Sequence, residues 1–215
     1  MEQPSDQLLA TFAPLRPVDD TGIVAHQAPD FFAIWAALEK KTGRECDVPF
    51  WATVWPGARL LARFLPEHPD SVCGKSVLDF GAGGAVAAIA AARAGARYVT
   101  ACDIDPLACR VAAVNSAANG TDVHVDNNNL LAVSDPPVFD CIMLADMFYR
   151  KEINAPLKAF LRLQRQKGGH VLIADGNRPF APRHGVEPIY GGRLTVDPAV
   201  EGCREREVTL YRMID

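Results

Sequence analysis

The stretch from Lys75 to Asp105, KSVLDFGAGGAVAAIAAARAGARYVTACDID, constrains the fold more than any other part of the chain. Val77, Leu78 and Phe80 form a short apolar run suited to a buried strand. Asp79 sits at its end, and Gly81-Ala82-Gly83-Gly84 forces a tight turn where the backbone runs without side chains in its way. From Ala85 to Ala94 the residues are small and apolar, so a helix can lie close on a sheet, and Gly95 stops it. Tyr98, Val99 and Ala101 predict a second strand, closing at Asp103-Ile104-Asp105-Pro106.

A unit of this kind builds a nucleotide-type site from backbone. The helix N-terminus and the glycine amides are expected to meet a ligand at the carboxyl end of the first strand. Asp103 ends the second strand as Asp79 ends the first, and is placed to accept bonds from two ribose hydroxyls. Two cofactor classes use the layout, dinucleotides and S-adenosyl-L-methionine (SAM). Gly81 and Gly83 fit the dinucleotide pattern G-x-G-x-x-G/A, but its third place is Val86, bulky where the helix must press close. Asp79, Gly81 and Gly83 match the SAM pattern D/E-x-G-x-G-x-G, and Ala85 departs from its last place by one methyl. SAM is therefore the favoured cofactor, with Asp79, Gly81, Gly83, Asp103 and Ile104 as binding candidates and NAD as the alternative.

The bulk numbers remove several other classes. A chain of 215 residues can bury a core that stands alone, and 49% hydrophobic with 22% charged residues is ordinary for a soluble globular protein. A formal net charge of −4 with no Lys/Arg-rich run does not favour a nucleic-acid partner. The acidic, polar start is no signal peptide, and no run approaches the ~18 apolar residues of a membrane helix. The expected location is cytoplasmic. The six cysteines form no C-x-x-C pair and the five histidines no H-E-x-x-H spacing, so reduced thiols and no metal are expected. There is no G-x-S-x-G elbow and no G-x-x-x-x-G-K-[ST] loop.

Residues 1–29 hold several prolines and no periodicity, and read as a loose arm. Asp30 is a good N-cap for an amphipathic helix over 31–42. Residues 1–48 are taken as an arm and helix, and 49–215 as the ligand-binding domain. Pro49-Phe50-Trp51-Ala52-Thr53-Val54-Trp55-Pro56-Gly57 is rigid and aromatic, and Pro56 suits the first turn of a helix carrying Leu60, Leu61, Phe64 and Leu65. Either Trp51 and Trp55 pack the core, or the segment forms a wall of the cofactor pocket and the substrate entrance. A helix is predicted over 106–118 and a short third strand at Val123 and Val125, running into Asp126-Asn127. An acid or amide there could read an adenine amino group, or it could serve the turn alone. Phe139 and Cys141 to Ala145 predict a fourth strand ending at Asp146-Met147-Phe148-Tyr149; a helix over 150–167 and a fifth strand over 170–174 follow. Segments 186–196 and 207–213 alternate and predict an antiparallel hairpin. Five βα units closed by such a hairpin predict an α/β fold with a Rossmann-like seven-stranded sheet, mostly parallel, with helices on both faces.

Four motifs in order, PFWATVWPGA at 49–58, VLDFGAGGA at 77–85, DIDP at 103–106 and DMFY at 146–149, together with DGNRP at 175–179, resemble the electron-transfer-flavoprotein β-subunit lysine methyltransferases of the seven-strand (class I) group. The resemblance covers about residues 48 to 180. It implies transfer of the SAM methyl to lysine on a protein partner, the electron transfer flavoprotein β-subunit, with S-adenosyl-L-homocysteine as product. Asp146 would then orient the lysine amine, while Phe148 and Tyr149 line its channel. A small-molecule N-methyltransferase on the same fold, an NAD-dependent oxidoreductase and an inactive binding module are the competing readings.

Overall fold

The computed structural model describes residues 6–214. Helix α1 (Asp6–Phe12) leads into a two-stranded antiparallel hairpin, β1 (Leu15–Val18) and β2 (Ile23–His26). Thus the segment expected to be a loose arm is ordered from residue 6 onward; residues 1–5 of it lie outside the described residues. The hairpin is held from far along the chain: Asn119 Oδ1 accepts from Val24 N at 3.0 Å, and Asn115 Oδ1 accepts from His26 N at 2.8 Å. Helix α2 (Phe31–Thr42) starts where the Asp30 carboxylate accepts from Phe32 N and Ala33 N, and ends at Gly43. A single 3₁₀ turn, Phe50–Ala52, precedes α3 (Pro56–Glu67), which has Pro56 at its first position.

The body alternates strand and helix: β3 (Ser76–Phe80), α4 (Val86–Arg93), β4 (Tyr98–Cys102), α5 (Pro106–Ala118), β5 (His124–Asp126), β6 (Cys141–Ala145), α6 (Lys151–Gln166) and β7 (His170–Asp175). It closes with β8 (Val186–Thr195), the short α7 (Pro198–Glu201) and β9 (Glu205–Met213). These strands form a seven-stranded sheet in the order β5-β4-β3-β6-β7-β9-β8. The first five are parallel, and β9 and β8 are antiparallel, as the sequence pattern predicts. Short runs such as VLDF and CIML can be apolar almost throughout because both faces of the sheet are covered. One core cluster gathers residues of α3 and α4 with the sheet, and the other gathers Leu157, Phe160 and Leu161 of α6 with the opposite side chains of β3, β6 and β7.

The chain runs outward from β3 through β4 to β5, then returns to place β6 and β7 on the other side of β3. A reversal of this kind opens a crevice at the carboxyl ends of the strands. Among the described residues no helix is long and apolar enough to cross a membrane.

Candidate functional site

A cleft of about 1380 Å³ opens at those strand ends. It is lined by the glycine turn after β3, the Asp103–Leu107 segment after β4, Asn128 to Leu131 after β5, Asp146, Met147, Tyr149 and Arg150 after β6, Arg178 after β7, and much of the segment from Arg44 to Trp55. Drug-sized pockets run roughly 300–1,000 Å³, so this one has room for two ligands side by side.

One half is built around the turn. Gly81 has φ +71°, and a Cβ there would collide with Met147 Sδ. Three loop amides are already committed: Gly81 N and Ala82 N donate to Cys102 O at 2.8 and 3.0 Å, and Gly83 N donates to Asp103 Oδ2 at 2.8 Å. In the first turn of α4 the buried Asp79 Oδ2 accepts from Ala88 N at 3.0 Å. Burial pushes Asp79 up to about 7 against the opposing pull of that N–H, and the Asp103 charge adds to the rise. The turn is therefore braced onto β4, and its glycines serve close approach more than donation.

A pyrophosphate uses free amides at the turn and helix end; here Gly81, Ala82, Gly83 and Ala88 N are spent, while Gly84, Val86 and Ala87 N stay open to a ligand. The Asp103 carboxylate also remains capable. Oδ2 accepts from Gly83 N at 2.8 Å and Oδ1 from Asp105 N at 3.0 Å, and a carboxylate oxygen has a second lone pair for a hydroxyl. Burial raises its pKa, and the N–H bonds from Asp105 and Gly83 work against the rise. Ile104, 71% exposed, lines the cleft beside it and offers an apolar face to a flat ring.

After β5 the structure shifts the expected contacts. The side chains of Asp126 and Asn127 are spent locally: Asp126 Oδ1 accepts from Asn128 N and Nδ2, and Asn127 Nδ2 donates to Asp103 O at 2.8 Å. Asn128 and Asn129, next along the chain, line the cleft. Turn chemistry, the competing reading, describes Asp126; Asn127 instead ties the end of β5 to the end of β4.

The other half is built from side chains. Phe50 sits between Trp55 and Tyr149, with ring centroids 5.8 and 5.2 Å away. Trp55 donates its indole N–H to Phe50 O at 2.8 Å; both tryptophans line the cleft, and Trp51 is packed in the core as well. Burial raises the Tyr149 pKa. Phe148 does not line the channel: it is 1% exposed and packs in the cluster beneath α6, because the backbone turns between Met147 and Tyr149 and sends its ring into the core. Phe50, which the sequence did not single out, stands beside Tyr149 in its place.

Asp146 anchors this half in a left-handed conformation, φ +54°. Its Oδ2 accepts from Gly57 N at 2.6 Å; its Oδ1 accepts from Gly176 N at 2.9 Å and from Arg178 Nε at 2.8 Å. Three of the roughly four acceptor sites of a carboxylate are thus used. Gly57 is obligatory here, since a Cβ would lie 2.7 Å from Ala174 O and 2.8 Å from Asp146 Oδ2. Arg178 lies with its guanidinium 5.2 Å from the Trp55 ring centroid and binds Glu201 with both Nη groups, at 3.1 and 2.7 Å.

The sheet order, the reversal at β3 and the closing hairpin define the fold of the seven-strand, class I methyltransferases. The chain matches the ribosomal protein L11 methyltransferase (PrmA) family over residues 67–148. It is similar to the electron transfer flavoprotein beta subunit lysine methyltransferases of Rattus norvegicus (38% identical over 65% of this chain and 55% of that one) and Xenopus laevis (41%, 64% and 56%). The chain spans about half the length of these curated relatives. Among solved structures, the T. thermophilus 16S rRNA N2 G1207 methyltransferase in complex with AdoMet and guanosine has a TM-score of 0.61 at 18% identity, over 94% of this chain and 50% of that one.

Proposed function

We propose that the protein is a SAM-dependent protein-lysine N-methyltransferase whose substrate is the electron transfer flavoprotein β-subunit. The observation that carries the cofactor assignment is the Asp103 carboxylate at the end of β4, which lines the cleft beside the Gly81–Gly83 turn with lone pairs unspent. Asp103 holds the ribose hydroxyls through its remaining lone pairs, Ile104 and Asn128-Asn129 meet the base, and Gly81 and Gly83 let the amino-acid portion lie against the backbone. Asp79 acts at one remove, as the carboxylate that fixes the turn to α4. When bound, SAM supplies an electrophilic methyl on a sulfonium, so neither a metal nor a covalent enzyme intermediate is required.

Phe50, Trp55 and Tyr149 form the mouth through which the lysine enters. An aromatic, partly dry channel depresses an amine pKa that in water stands near ~10.4, and the rings attract the cation on its way in by about 0.5–2 kcal/mol. Asp146 keeps one acceptor site on Oδ2, which receives an amine N–H and aims the nitrogen lone pair. Alignment of this kind contributes ~7–11 kcal/mol in well-ordered cases.

A protein acceptor is favoured over nucleic acid by the net charge of −4. Free thiols, Cys102 and Cys141 buried among them, support a cytoplasmic setting. The test is incubation of the full chain with methyl-labelled SAM and a cell lysate, then with purified flavoprotein β-subunit. Label is expected on protein lysine. Label on RNA or on small molecules, or calorimetric binding of NAD in place of SAM, rejects the reading.

A further inference from the structure

We propose that Arg178 is a positioning residue for the transfer, fixing the Asp146 carboxylate and, through Glu201, making the C-terminal hairpin part of the acceptor half of the cleft. The inference rests on the lysine-transfer reading. Four charged side chains meet behind Asp146. Arg178 Nε bonds Asp146, its two Nη groups bond Glu201, and Arg206 Nε lies 2.6 Å from Glu201 Oε2. The Asp146 and Glu201 side chains are each 4% exposed, that of Arg178 is 13% and that of Arg206 21%, so two carboxylates and two guanidinium groups alternate in a mostly buried setting beside the buried Asp175 carboxyl, whose pKa burial raises. Removing one member leaves an uncompensated buried charge.

The connection is long-range. Glu201 ends α7, in the connection between β8 and β9, with α6, β7 and β8 between it and Asp146 along the chain. Its neighbour Val200 lines the cleft, and Arg206 Nη1 donates to Gly176 O at 3.0 Å, beside the second amide that holds Asp146. The stem of Arg178 is fixed as well, since its backbone N–H donates to Asp175 Oδ1 at 2.7 Å after a left-handed turn at Asn177, φ +65°. What the geometry uses is the guanidinium fork: one edge for Asp146, the other for Glu201, one face for Trp55. An ammonium is a point charge on a flexible stem and cannot serve two carboxylates at fixed angles.

Two variants of the full chain test this, Arg178→Lys, which keeps the charge, and Glu201→Gln, which keeps the shape. For Arg178→Lys, kcat is expected to fall at least about tenfold, equivalent to ~1.4 kcal/mol, with KM for the acceptor and the SAM Kd within about threefold. Amide hydrogen exchange at Gly57 and Gly176, the two backbone donors to Asp146, should accelerate, while Gly83, bonded to Asp103, should not change. Glu201→Gln should shift the same amides in the same direction by less, and it decides the matter if Arg178→Lys does not fold. Wild-type kcat with unchanged exchange at Gly57 and Gly176 overturns the proposal, as does a loss of SAM affinity in step with turnover. A wild-type enzyme that labels no protein lysine removes the lysine-transfer reading; the Gly57 and Gly176 exchange still decides whether Arg178 holds Asp146.

Discussion

The two halves of the cleft are made of different materials. The half at β3 and β4 is backbone, drawn from a single contiguous stretch, with one carboxylate left open toward the cleft. The half at β6 and β7 is side chain, assembled from Trp55, Gly57, Asp146, Arg178, Glu201 and Arg206, with its charges paired and mostly buried. A backbone scaffold tolerates the loss of a contact, because the turn is held by several bonds to β4. A paired ionic cluster does not, because each member is needed to neutralise the others.

The largest expected effect therefore lies in the side-chain half. Asp146→Ala strands two backbone donors and the Arg178 guanidinium, and should lower unfolding free energy by about 3–5 kcal/mol as well as abolish turnover. Urea denaturation and single-turnover methylation measure the two losses. Retained stability would mean that the cluster is looser than its distances imply.

The next effect tests whether the backbone half has a buried weakness of its own. With Asp79 pushed up to about 7, the folded state binds more protons than the unfolded chain between roughly pH 4 and pH 7. Stability from this group is thus fully present below about pH 4 and declines as pH rises to about 7. Asp79→Asn removes the titration, so its stability relative to wild type should climb across that window, by up to a few kcal/mol at about 1.4 per pKa unit. Thermal denaturation of both proteins at a series of pH values checks the sign; a flat difference would show that Asp79 stays ionised.

Asp103→Ala comes third. It should leave the fold intact and weaken SAM binding at least about tenfold, since bonds to a charged group contribute roughly 1.5–3 kcal/mol each. Calorimetry showing unchanged SAM affinity in the folded variant would reject the cofactor site. The smallest effect is at Ala85, which holds φ +60° where a glycine carries no penalty. Ala85→Gly relieves about 1 kcal/mol of left-handed strain but gives up a fully buried methyl of similar worth, so stability to denaturation should move by less than about 1 kcal/mol in either direction.

The same contrast governs what could be read from the sequence. The succession of βα units with its closing hairpin, the helix starts at Phe31, Pro56 and Pro106, and the Gly81–Gly83 turn all followed from local spacing and capping. Residues 75–105 carry their meaning in their own order. The acceptor half resisted because its members are scattered from Trp55 to Arg206 and because side-chain direction is not written in periodicity. Phe148 and Tyr149 are adjacent, yet one ring fills the core and the other faces the cleft. Asp126 and Asn127 are the right residue types at the right strand end, yet an Asx turn occupies Asp126 and a bond to Asp103 O occupies Asn127. The N-terminal hairpin was hidden for a related reason. Its strands, Leu15–Val18 and Ile23–His26, are too short to show a period, and its polar partners, Asn115 and Asn119, come from α5 and its C-cap.

That hairpin bears on how the chain can be cut. Ala25 and His26 line the cleft, and Leu38 of the following helix lines it too. A shortened protein beginning near residue 49 would keep every strand of the large sheet and the whole glycine turn, yet its ligand chamber would be breached on one flank and α5 would present bare asparagines to water. Such a fragment should melt at a lower temperature and hold SAM poorly. Binding as tight as that of the full chain would show that everything ahead of Pro49 is dispensable packaging.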